Sequence, residues 1–198
     1  MILHLVRHGE TAASDRLIGR TDVALSDAGR GQLDRQALRL DFDALVTSPL
    51  QRTRLPAEQL AAARGTPLRV DADWAELDFG DWDGRLHAEL RGDAVTGAAL
   101  AAIYLSPDAA GAPGGESWRQ LEARTARALR RLLDERPDGR ALVSTHGGPI
   151  RAALALICAI PFANLWAFRI DPGTRVTLRA ERDAAGNLWG EIIEVAQP

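Results

Sequence analysis

The sequence predicts an α/β fold, a three-layer α/β/α sandwich on a mostly parallel central sheet with a small helical cap insertion. Short apolar runs alternate with segments of helical period along most of the chain. Polar motifs rich in His, Arg, Ser and Gly follow several of those runs directly, as loops at strand ends do. The C-terminal part carries two alternating runs around a turn, which is a hairpin pattern.

Ile2–Val6 is a mostly apolar run that stops at Arg7-His8-Gly9, so it reads as a buried strand ending in a polar loop. Ser26 is placed to cap a helix running to about Leu40, with Leu33, Ala37 and Leu40 on one face. Ala44–Thr47 is a second short strand. Pro49 suits the first turn of a helix, which continues through Leu50–Arg64. Leu68–Val70 is a third strand. In Glu116–Arg136, Trp118, Leu121, Thr125, Ala128 and Leu132 recur at spacings of three and four, so this segment is the clearest helix. Its arginines are expected on a solvated face. Arg140–Thr145 is a fourth strand, and Pro149 opens the next helix. Arg175–Arg182 and Leu188–Val195 form the hairpin at a sheet edge. Residues from about 84 to 115, rich in Ala, Gly and Pro, fit a helical cap rather than a linker. The whole chain, 1–198, is expected to form one domain.

The chain has 198 residues, 46% of them hydrophobic and 26% charged, with a net charge of -3. That apolar share excludes a disordered chain. All 24 basic residues are arginines, so a Walker-type phosphate loop, a Schiff-base lysine and a lysine general base are excluded. Arginine still binds phosphate oxygens through its planar fork. The mild negative charge with scattered arginines argues against a nucleic-acid partner. Ala152–Phe168 is apolar but interrupted by Pro161 and Asn164, so a buried helix followed by a turn is expected rather than a membrane span. Six residues before Arg7 are too few for the apolar core of a signal peptide. The single Cys158 has no internal disulfide partner and fits a reducing compartment. A cytoplasmic location is therefore expected.

Three polar motifs follow strands: Arg7-His8-Gly9-Glu10-Thr11, Thr47-Ser48-Pro49-Leu50-Gln51-Arg52-Thr53 and Ser144-Thr145-His146-Gly147-Gly148. The carboxyl ends of strands in an open α/β sheet converge on one crevice. Two arginines and two histidines around one crevice suit a phosphoryl group, which carries nearly two negative charges. Its transfer needs an in-line nucleophile, cationic donors on the equatorial oxygens and an acid for the leaving oxygen. A neutral imidazole serves as nucleophile, and neighbouring arginines favour its neutral form. The acid is expected in Trp74-Ala75-Glu76-Leu77-Asp78-Phe79-Gly80-Asp81-Trp82, where spacing alone leaves Glu76, Asp78 and Asp81 open.

These motifs resemble the histidine phosphatase superfamily, the phosphoglycerate mutase-like group. The likeness extends to Leu25-Ser26-Asp27-Ala28-Gly29, Glu76-Leu77-Asp78-Phe79-Gly80-Asp81-Trp82-Asp83-Gly84 and Gly114-Gly115-Glu116-Ser117, over nearly the whole chain. The resemblance implies that His8 is the residue phosphorylated. It implies that Arg7, Arg52 and His146 grip the phosphoryl group, and that Glu76 is first the proton donor and then the base for water. Where the family often carries asparagine six residues after the nucleophile, this chain has the shorter Ser14. Gly147-Gly148 stands where some relatives have bulkier residues. Within the family the likeness is greatest to α-ribazole phosphatases, in Glu76–Trp82 and Ile160–Gly173.

The resemblance implies a phosphate monoester as substrate, no metal and no cofactor. A homodimer is common among similar proteins. Other residues take plainer readings. His4 and His8 are too far apart along a strand to share a metal ion, and His4 is expected to pack in the sheet. His87 is expected on the cap surface, with a substrate contact as the alternative. The tryptophans are expected in the core, and Trp82 is the one weighed for the pocket wall. Cys158 is expected as an inert buried thiol. The competing functions are a phosphoglycerate mutase and a non-catalytic module that binds phosphorylated ligands. The short Gly84–Gly115 segment leaves little material to exclude water, which favours hydrolysis.

Overall fold

The computed structural model describes residues 1–198. Six strands form one sheet: β1 (Ile2–Arg7), β2 (Ala44–Thr47), β3 (Leu68–Val70), β4 (Arg140–Thr145), β5 (Arg175–Arg182) and β6 (Leu188–Ala196). Their order is β3-β2-β4-β1-β5-β6. The first four run parallel, and the β5–β6 hairpin joins antiparallel at one edge, as the sequence predicts.

The helices are α1 (Gln32–Ala37), α2 (Gln51–Arg64), α3 (His87–Gly92), α4 (Ala94–Leu105), α5 (Trp118–Glu135) and α6 (Gly147–Cys158). Strand alternation sorts the core. Val6, Leu45 and Leu142 pack with Leu33 and Ala37 of α1 and with Ala57 and Leu60 of α2. Leu3, Leu5, Val46 and Val143 point the other way, into the larger core with α5 and α6. Two-sided burial is the reason these strands read as apolar runs.

Capping explains where helices begin, and corrects one expectation. Ser26 does not cap a helix running to Leu40. Its hydroxyl accepts from the Gly29 amide within a turn, and α1 begins only after Gly31, whose φ of 72° an L side chain rarely adopts. On α5, Ser117 and Gln120 form a reciprocal capping box. The 84–115 segment does contain helices, α3 and α4. The apolar stretch from Ala152 splits into the end of α6 and a 3-10 turn at Phe162–Ala167. No helix is long and apolar enough to cross a membrane.

Candidate active site

The sheet register gathers the three motifs. Arg7 pairs with Thr145 and Thr47 with Ser144, so β1, β2 and β4 end together. The next residues are tied across the sheet: the His8 amide donates to Thr145 O at 2.9 Å, and the Ser48 amide to Ser144 O at 3.1 Å. His8 and His146 leave adjacent strand ends, and their rings lie 5.1 Å apart.

Both imidazoles are buried. Nδ1 of His8 lies 2.7 Å from Gly9 O. A carbonyl only accepts, so that nitrogen carries the proton and Nε2 keeps its lone pair. Burial, then the charges of Arg52 and Arg7, hold His8 well below the ordinary histidine range, against the opposing bond to Gly9. Burial and the charge of Arg52 act the same way on His146. His146 Nε2 lies 2.8 Å from Ser48 Oγ, while its Nδ1 has no partner.

Arg52, in the first turn of α2, is 1% exposed. Its Nη1 donates to Thr21 O at 3.0 Å and Nη2 to Gly19 O at 2.6 Å. That loop is held in turn by Asp83, whose carboxylate accepts from the amides of Gly19, Arg20 and Thr21 and from the Thr21 hydroxyl. Arg7 donates through Nη1 to Ile170 O at 2.7 Å. Nε of Arg7 and Nε of Arg52 are both buried and unpartnered. Neither guanidinium is in an ion pair. An incoming oxyanion would offset this uncompensated cationic burial.

Glu76 meets the start of α6, where Oε1 accepts from Leu77 N at 2.9 Å and Gly148 N at 3.0 Å. Helix N-terminal amides suit a carboxylate. The absence of a side chain at Gly148 makes the approach possible, because a β-carbon there would stand 2.3 Å from Oε1. Asp78 and Asp81 are placed elsewhere. Asp78 caps Gly80 N, and neither lines the main pocket.

The pocket is a cavity of about 310 Å³. Arg7, His8, Glu76 and Ser14 line it, with Ser14 exposed at its rim. Arg52 and His146 do not line it and are nearly without exposure, the His146 ring packing beside that of His8. His87, half-buried on α3, also lines the cavity. Trp82 does not: its 3-10 turn sends it into the core. The aromatic wall comes instead from Trp118, Trp166 and Tyr104, packed at ring separations of 5.1 to 6.4 Å.

Two arginines were not legible from motif reading. Arg124 is buried, not on a solvated face. It pairs with Glu116 at 2.7 Å and donates to the carbonyls of Asp73, Ala75 and Glu76, bracing the Glu76 segment. Its spacing from Leu121 and Ala128 places it on the apolar face of α5, a signal the sequence did carry. Arg151 lines the pocket one turn beyond Gly147. No group of three or more His, Cys, Asp or Glu side chains gathers as a metal site.

Comparison with known proteins identifies the family. The family model of the histidine phosphatase superfamily (branch 1) matches residues 3–188. The chain is 31% identical over 184 residues to the adenosylcobalamin/alpha-ribazole phosphatase of Salmonella typhi, covering 90% of each protein. It is 36% identical over 205 residues to phosphoglycerate mutase-like protein 4 of Arabidopsis thaliana, covering 95% of this chain and 84% of the relative. Among solved structures, mycobacterial glucosyl-3-phosphoglycerate phosphatase in complex with VO3 superposes with a TM-score of 0.85 at 28% identity, covering 98% of this chain and 97% of that one. With its family pattern matched over nearly its full length, the chain belongs to the histidine phosphatase superfamily and is by class a phosphomonoester hydrolase.

Proposed function

We propose that the chain hydrolyses small phosphate monoesters through a phosphohistidine at His8. Nε2 of His8 attacks phosphorus, an N–P bond forms and the ester P–O bond breaks. Protonated Glu76 gives its proton to the departing oxygen. Water then attacks phosphorus, Glu76 takes its proton, and the N–P bond breaks to release phosphate. Arg7, Arg52 and His146 carry the charge of the equatorial oxygens, and Ser14 contacts the substrate from the rim. No metal or cofactor enters these steps, and residues 1–198 act as one domain.

The observation that carries this reading is the fixed tautomer of His8: Nδ1 is committed to Gly9 O, 2.7 Å away, and the other nitrogen is free in a pocket it shares with Arg7 and Glu76. The substrate proposed is α-ribazole 5′-phosphate, by likeness to the Salmonella relative, or a range of sugar and nucleotide phosphates. A cytoplasmic setting is part of the proposal, supported by the single free thiol.

The test is turnover of p-nitrophenyl phosphate without added metal, followed by a metabolite panel that includes α-ribazole 5′-phosphate. His8→Ala is expected to lower kcat by about 10³-fold or more. Quenched mass spectra are expected to show phosphate on residue 8. Equal rates for wild type and His8→Ala would overturn the mechanism. Rapid 2-phosphoglycerate formation from 3-phosphoglycerate, primed by the bisphosphate and without phosphate release, would replace hydrolysis by mutase chemistry.

A further inference from the structure

We propose that Arg151 is a specificity-determining residue: it binds a second oxyanion, carboxylate or phosphate, on the alcohol portion of the phosphomonoester. The inference rests on the phosphatase reading above and narrows its substrate class.

Arg151 lines the reaction pocket half-buried, yet it has no ion-pair partner. Its only hydrogen bonds are two long ones, to Gly147 O and Phe168 O, each at 3.4 Å. Its Nε is buried without a partner. A guanidinium has five N–H donors, so most of this one's capacity is unused. Arg7 and Arg52, assigned above to the phosphoryl group, share this lack of a counter-charge; arginines buried elsewhere do not, since Arg124 has Glu116 and three carbonyls, and Arg175 has Glu194. A cation kept out of water without a counter-charge is costly unless a ligand supplies one.

The guanidinium is also oriented. Its central carbon lies 4.8 Å from the Trp166 ring centroid, and Trp166 is fixed by Trp118, Phe162 and Tyr104. A cation held over a ring face keeps N–H groups for an oxyanion, and here only two long bonds to carbonyls compete for them.

Exposure distinguishes this cation from the groups assigned to the transferred phosphoryl. His8, which lines the pocket, and His146 and Arg52, which do not reach its surface, are each at most 9% exposed. Trp166, on which Arg151 lies, is 37% exposed and belongs to the mouth. Glu76 must face the leaving oxygen, so the alcohol portion extends from Glu76 toward that mouth. Arg151 sits three residues along α6 from Gly148, whose amide holds Glu76, so it meets that portion. A β-carbon on Gly147 would stand 3.2 Å from Nη1 of Arg151 and 3.8 Å from Cζ of Arg7. Glycine therefore keeps a side chain from crowding the two guanidinium groups, both of which line the pocket. The Tyr104 hydroxyl makes no hydrogen bond within the protein and lines the same mouth.

The experiment compares matched esters that differ in one anion: 3-phosphoglycerate against glycerol 3-phosphate, and fructose 1,6-bisphosphate against fructose 6-phosphate. Phosphate release gives kcat/KM for each. The wild-type enzyme is expected to favour the doubly anionic member of at least one pair by about 10- to 100-fold, and the favoured pair tells carboxylate from phosphate. Arg151→Met is expected to bring that ratio near one, and Arg151→Lys to leave it between. Ratios near one for both pairs in the wild type overturn the proposal. So does an unchanged ratio in Arg151→Met, or an equal loss on all four esters, which would assign Arg151 to the transferred group. Calorimetric binding of the same pairs to His8→Ala reads the ratio without turnover, and equal or absent binding counts against Arg151. A wild-type protein that binds the pairs unequally but hydrolyses nothing would sink the phosphatase reading and leave this one standing.

Discussion

Gly148→Ala isolates the proposed proton donor, Glu76, without touching its carboxyl group. The new methyl would stand 2.3 Å from Oε1 of Glu76 and 3.2 Å from Cδ2 of Leu121. Non-bonded atoms of these kinds need roughly 3.3 Å or more, so the carboxyl must withdraw by about 1 Å. The helix tolerates alanine better than glycine, and the displaced atoms are the far end of a flexible side chain, so the fold should survive. Catalysis should not, because a 1 Å misplacement at the reacting centre costs about 10²-fold, or about 2.7 kcal/mol of barrier. An alkyl phosphate needs its leaving oxygen protonated, whereas p-nitrophenolate leaves readily without help. The variant is therefore expected to lose about 100-fold in kcat/KM on glycerol 3-phosphate or a similar alkyl ester, and no more than about 10-fold on p-nitrophenyl phosphate. Steady-state kinetics on the two esters, with a melting curve as a control on folding, decides it. An unchanged rate on the alkyl ester, in a folded variant, would refute the assignment of Glu76 and the close approach that supports it.

Burial and the charges of Arg52 and Arg7 keep His8 neutral into acid, so the acid limb of kcat/KM is expected to fall below pH 6.5; a limb at or above that value would contradict the electrostatic reading. His4, buried against Thr177 Oγ1, has its pKa lowered to about 4, first by burial and then by Arg175 and Arg140. The unfolded chain takes up that proton first on acidification, so the contribution is full above about pH 6.5 and lost as pH falls to about 4. It amounts to about 3 kcal/mol. Urea titrations across this range should show the loss, and His4→Gln should flatten the slope. Asp83→Ala removes four bonds from the loop whose Gly19 and Thr21 carbonyls hold Arg52. It is expected to lower stability by about 2 kcal/mol and kcat/KM by about 10-fold or more. Wild-type kinetics in a folded Asp83→Ala protein would show that the loop does not position Arg52.

The sequence alone carried the layer order and most strand bounds. Strands buried on both faces are continuous apolar runs, and the polar residues that follow them are conspicuous. Arg7, His8 and His146 were legible because each belongs to such a motif, whereas spacing left Glu76, Asp78 and Asp81 open and only the family resemblance singled out Glu76. Helix starts were less so: Ser26 offers a cap, but Gly31 and its positive φ decide where α1 begins. Spacing put Arg124 on the apolar face of its helix, but only the tertiary structure decided what the buried arginines touch. Composition makes every basic residue an arginine, so residue type says nothing about which one is paired, as with Arg124, or unpaired, as with Arg151. The same holds for the tryptophans. Trp82 stands beside the motif yet enters the core, while Trp118 and Trp166, distant in sequence, form the wall. Local pattern is a matter of backbone period and neighbouring residues. Pocket membership depends on contacts between segments far apart in the chain, and these exist only once the sheet and its helices have closed.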